Sequence, residues 1–204
     1  MKRALVIILF ATSISAFSQA LGVPAQDGKA EDSYAIYSLV VQNAVIPSGN
    51  TQFLVIAKMT APEQNPNNAC HPVYIGTNPW EKSWNEILSD WNARKDVASV
   101  DLERSFNLEK PYLLLNEKEV QEFSAIRSRN LIPPDKPRPA ENPRFAGATA
   151  MFGLSNVFYN GKRTLALVYV SVSCGPFCGN FGWKVFEKTS SGWRNAFSCA
   201  LTAA

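Results

Sequence analysis

Residues 165–172 are apolar on both alternating sides, with Leu165, Leu167 and Tyr169 on one and Ala166, Val168 and Val170 on the other. Successive side chains of a strand point to opposite faces, so this pattern predicts a central strand covered on both sides. Residues 151–159 precede it and end at Asn160-Gly161. An Asn-Gly pair between apolar runs is a strong hairpin signal, because both central residues of that turn need positive φ. Downstream, Phe181, Trp183 and Val185 alternate with Lys184 and Lys188, and Ser190-Ser191-Gly192 turns the chain again. Trp193, Phe197, Cys199 and Leu201 then fall on one face of a last strand. Four strands joined by tight turns predict an antiparallel meander.

The upstream chain supplies the cover. Asp32 or Ser33 is placed to cap a helix through Ala44, with Tyr34, Tyr37, Val40, Val41 and Ala44 on one stripe. Residues 52–58 read as a buried strand. Residues 60–79 form a long loop with Pro62, Pro66, Pro72 and Pro79, and it carries Cys70, His71 and Tyr74. A helix is predicted over residues 81–94, where Trp80, Trp84, Ile87, Leu88 and Trp91 share a face. That row suits a helix held to a sheet by its large side chains; a sugar-stacking platform is the sharper alternative. Residues 112–115 read as a short strand and 117–124 as a short helix begun by Asn116. Residues 132–143 contain Pro133, Pro134, Pro137, Pro139 and Pro143. Proline fixes φ and lacks a donor, so this stretch is a stiff surface connection, not a helix or a central strand. The Pro134–Pro137 spacing matches a polyproline ligand only as a secondary reading.

Residues 1–20 have the layout of an export signal. Lys2 and Arg3 open it, an apolar run follows to Phe17, and Ser18 and Ala20 put small side chains before a cleavage point. Ala25 is the alternative site. The run is too short for a lasting transmembrane helix, and nothing later is long and apolar enough to span. The expected organisation is a signal over 1–20, a flexible lead-in over 21–31 and a single domain over 32–204. Losing Lys2 and Arg3 lowers the formal charge from +3 to +1. A balance so near neutral gives no nucleic-acid footprint. Arg127, Arg129, Lys136, Arg138 and Arg144 gather in one region, but Glu122, Asp135 and Glu141 lie among them, as on a solvated loop.

The chain has four cysteines. Under oxidising conditions they should form two disulfides. The local pair Cys174–Cys178 suits its Cys-Gly-Pro-Phe-Cys-Gly turn, which leaves Cys70–Cys199; the rival scheme joins Cys70 to Cys174 and Cys178 to Cys199. A redox dithiol would usually have two intervening residues at a helix start, and here three intervene between strands. A zinc site from Cys70, His71, Cys174 and Cys178 has suitable ligand types, but adjacent ligands fit one tetrahedron poorly. No metal or cofactor is therefore expected.

With one histidine in the chain, any Ser or Cys nucleophile would depend on His71. There is no nucleophile elbow, P-loop, dinucleotide fingerprint or His-Glu-x-x-His. Glu81 with Glu86, Asp101 with Glu103, and Glu117 with Glu119 are possible carboxylate pairs, though no spacing marks a glycosidase. In residues 152–193, Phe152-Gly-Leu-Ser-Asn-Val-Phe-Tyr-Asn160, Ala166-Leu-Val-Tyr-Val170, Cys174-Gly-Pro-Phe-Cys-Gly179, Glu187-Lys188 and Gly192-Trp193 follow in order. This resembles a family of exported bacterial proteins with an Ala-Leu-Val-Tyr-Val strand and a Cys-Gly-x-x-Cys-Gly turn. Family members usually close on a Trp-Ile-Ser-like strand, whereas this chain closes on Phe197-Ser-Cys199-Ala-Leu. The resemblance implies fold and export and carries no activity.

The expected class is α+β: an antiparallel sheet of about five or six strands with the four-strand meander at its end, and two or three helices packed on it. The expected function is a non-enzymatic exported binding module for another exported protein or an envelope component. His71 and Tyr74 on one loop and Lys136 and Arg138 on the other are its candidate contacts, since loops on a rigid sheet carry recognition. The alternatives are an envelope hydrolase using carboxylates or His71, and a thiol-redox or metal protein.

Overall fold

The computed structural model describes residues 27–44, 51–70, 81–99, 102–103, 106–175 and 177–201. The export signal and its cleavage point lie outside these residues, as do His71, Tyr74 and Trp80. Chain order is α1 (Asp27–Gln42), β1 (Leu54–Lys58), α2 (Pro66–Ala69), α3 (Glu81–Arg94), β2 (Tyr112–Leu115), α4 (Glu117–Arg127), β3 (Met151–Leu154), β4 (Phe158–Tyr159), β5 (Leu165–Gly175), β6 (Cys178–Thr189) and β7 (Gly192–Leu201). The class is α+β as expected.

The seven strands form one sheet in the order β2-β1-β3-β5-β6-β7, with β4 also on β5. The expectation of a purely antiparallel sheet fails on one side, because β1 runs parallel to both β2 and β3. The chain between β1 and β2 and between β2 and β3 contains helices, and such crossovers return the chain in the same direction. From β3 onward the pairing is antiparallel, as the meander required.

Central β5 is buried on both sides as its sequence demands. Ala166, Val168 and Val170 join Tyr37, Val40, Ile56, Phe152 and Phe186 in the core under α1. Leu165, Leu167 and Tyr169 join Trp84, Ile87, Trp91 and Trp183 under α3. Val55, Leu115, Phe123, Phe145 and Ala148 make a third cluster under α4. The tryptophan row of α3 is thus core, not a platform: Trp84 and Trp91 are buried, and Trp84 Nε1 donates to Asn67 Oδ1 at 2.9 Å.

Five local expectations change. Residues 27–31 are helix rather than flexible lead-in. Asp32 and Ser33 do not cap it; Ser33 Oγ donates to Lys29 O one turn back (2.9 Å), inside the helix. Residues 151–159 split into two strands around Ser155, whose Oγ accepts from Tyr169 N at 2.9 Å where a ladder bond would otherwise run. At the Asn-Gly turn the positive φ belongs to Arg163 (+55°), not to Asn160 or Gly161. Asn160 is buried there, its Oδ1 accepting from Thr164 N and Leu165 N (2.8 and 2.9 Å), while Gly161 N donates to Glu86 on α3 (2.8 Å). Finally, β7 carries a bulge: Val185 faces Phe197 and Phe186 faces Asn195, leaving Ala196 as the extra residue. One added residue reverses the alternation. Trp193 therefore lies in the α1 core, whereas Cys199 lies in the α3 core.

Candidate functional site

Both disulfides match the favoured pairing. Cys70 bonds Cys199 across 129 residues, and Cys174 bonds Cys178, each with Cα atoms 5.1 Å apart. The first ties the end of α2 to β7. The second closes the β5–β6 turn, where glycine is needed twice: Gly175 has φ +145°, and a Cβ on Gly179 would stand 2.5 Å from Val172 O. The proposed zinc quartet is not assembled, since Cys70 is joined to Cys199 and the other two cysteines to each other.

The basic region is dispersed. Arg129 pairs with Glu141 and Arg144 with Glu119, while Arg138 Nη2 donates to Ile132 O at 3.3 Å. Lys136 and Arg138 are exposed on the proline-rich connection, which is neither helix nor strand between Pro133 and Asn142. Arg127, in the last turn of α4, pairs with no acid among the described residues.

Of the carboxylates singled out by the sequence, Glu86, Glu103 and Glu119 have structural occupations, and Asp101 lies outside the described residues. Glu86 holds the Gly161 amide, Glu103 pairs with Lys58 at 3.0 Å, and Glu119 completes a capping box with Asn116 at the start of α4. Asp32 and Asp90 are partly buried acids that join helices to the meander. Asp32 accepts from Trp193 Nε1 (2.8 Å) and Lys188 Nζ (2.8 Å) and pairs with Arg163 (2.9 Å). Burial pushes its pKa up, but the hydrogen bonds from Lys188 and Trp193, with the charges of Lys188 and Arg163, outweigh burial and leave it below its ordinary value. Asp90 behaves alike: burial raises it, and Arg94 with the Tyr159 amide brings it below. Tyr159 is pushed by burial up to about 12, so its hydroxyl keeps its proton at neutral pH. These groups lock α1 and α3 to the meander. An acid catalyst needs the opposite displacement, a carboxyl raised toward neutrality.

An opening of about 600 Å³ lies at the carboxyl ends of β1 and β2. The connections diverge there: the chain leaving β1 goes on to α3, which packs over β4 and β5, whereas the chain leaving β2 enters α4 directly. The walls of this crevice are mainly apolar, including Ile56, Met59, Ala98, Leu102, Leu114 and Val120, and the Lys58–Glu103 pair sits with them. Beside it, β2 pairs with β1 and with no other described strand. Leu54 N donates to Pro111 O (2.9 Å), which fixes the alternation along β2. The polar groups of Leu113 and Leu115 then face β1, and the N–H and C=O of Tyr112 and Leu114 face outward.

No family model, curated protein or solved structure matches the chain. The crevice and the open edge escaped the sequence reading. Residues 52–58 and 112–115 were legible as strands, but a strand's neighbours and direction are not written in its own residues.

Proposed function

We propose that this chain is a non-enzymatic exported binding module that takes an extended segment of another exported or envelope protein onto the outer edge of β2. The edge carries the reading: two residues, Tyr112 and Leu114, present outward N–H and C=O groups next to an apolar crevice. Added strands gain affinity from main-chain hydrogen bonds and specificity from pockets that receive alternate side chains. An apolar side chain of the bound segment would enter the crevice, and the Lys58–Glu103 pair would border it. Export is supported by the Lys2-Arg3 start with its apolar run and by four cysteines held as two disulfides. The likeness to an exported bacterial family points the same way.

The edge is tested by proline. Leu114→Pro removes an outward donor and leaves the bonds from Leu113 and Leu115 to β1; Leu114→Ala loses similar packing but keeps the donor. Random linear peptides displayed on phage should yield binders that hold the protein and Leu114→Ala but lose Leu114→Pro. Binders insensitive to the proline would place recognition elsewhere. Cleavage of such peptides by the purified protein would make it an enzyme and end the reading.

A further inference from the structure

We propose a second site: the cleft between the C-terminal turn of α4 and residues 141–147 binds an oxyanion on the guanidinium of Arg127. The cleft measures about 480 Å³ and is lined by Phe123, Arg127, Arg129, Asn130, Glu141 and Phe145 among others. Arg127 ends α4 with its guanidinium carbon 5.2 Å from the centre of the Phe123 ring. Its Nε is buried and has no hydrogen-bond partner. Among the described residues it has no acid partner either, which sets it apart from Arg129 and Arg144. Glu141 is committed to Arg129. Glu122 accepts from Asn142 Nδ2 at 2.8 Å.

A half-buried cation without a counter-charge is costly, and here a second cation sits beside it. Burial, then the charge of Arg129, moves the Arg127 pKa down, which is the signature of a positive charge held in an unfavourable place. A carboxylate or phosphate reverses that balance by offering two oxygens to one guanidinium fork. With Nε occluded, the two terminal nitrogens form the edge left for the ligand, and the Asn130 amide and Arg129 stand at the same cleft. The cleft has room for an oxyanion that forms one end of a larger organic molecule. The site is independent of the β2 edge and stands whether or not that edge binds a strand.

Thermal unfolding at constant ionic strength tests it, with sodium chloride replaced stepwise by sodium phosphate in one arm and by sodium acetate in the other. Ligand that binds only the folded state raises Tm along a saturating curve. The wild-type curve should saturate in at least one arm, and the arm that saturates at lower concentration tells phosphate from carboxylate. Arg127→Gln breaks no side-chain hydrogen bond or ion pair among the described residues and should fold; its apparent affinity should fall by about tenfold or more, because a charge-assisted bidentate contact is gone. Arg129→Gln should keep a saturating response, since Arg129 is already paired. A general salting effect stabilises both proteins equally and without saturation. Equal responses of wild type and Arg127→Gln, or no saturating response in either arm, would overturn the site.

Discussion

Asp32 shows how one residue can bind several elements. It sits within α1, yet its partners are Arg163 after β4, Lys188 on β6 and Trp193 on β7. Its folded pKa lies below the ordinary 3.8, so its contribution is complete above that value and is lost as pH falls through the folded pKa. Asp32→Asn should cost about 1–3 kcal/mol at pH 7, since a charged acceptor with three donors is replaced by a neutral amide. The deficit should shrink as pH drops below the unfolded carboxyl range. Urea unfolding of both proteins at neutral and acidic pH measures this; a deficit independent of pH would mean the charge is immaterial. Nothing in the sequence marked Asp32 as a hub. It was legible only as a helix cap, because its partners lie more than a hundred residues away.

Among the elements, α3, β2 and α4 were the most legible, since each carries its own signals. The spacing of Trp84, Ile87 and Trp91 gives α3, and Asn116 with Glu119 gives the start of α4. Asn116 accepts from Glu119 N (3.0 Å) while Glu119 Oε2 accepts from Asn116 N (2.9 Å). Asn116→Ala should cost about 1 kcal/mol, read as a lower Tm. The same change would loosen the wall of the crevice where α4 begins. Strand β7 was misread for an equally physical reason. A bulge depends on the partner strand, and the sequence of β7 read alone shows simple alternation. Deleting Ala196 should restore that alternation and force either Trp193 or Cys199 out of its core. The expected result is a protein with titratable thiols from Cys70 and Cys199; a deletion variant with the native disulfide would show the bulge is dispensable.

Across the molecule, the two disulfides differ in reach. Closing 129 residues restrains the unfolded chain far more than closing four. In the chain-entropy account these are worth about 5 and about 2 kcal/mol. Replacing Cys70 and Cys199 together by serine should therefore lower stability more than replacing Cys174 and Cys178, as judged by denaturant midpoints. Similar losses from both would mean the long bridge is offset by strain. The oxidised protein should also be four hydrogens lighter than its reduced form by intact mass.

The local content of the fold, with helix faces and the doubly covered central strand, follows from the sequence alone because periodicity and turn chemistry are properties of neighbouring residues. The direction of β1, the open edge of β2, the crevice beside it and the isolation of Arg127 were settled only by tertiary structure. Each depends on which distant segment comes to lie alongside, and hydrophobic patterning specifies that a face is covered without naming the residues that cover it.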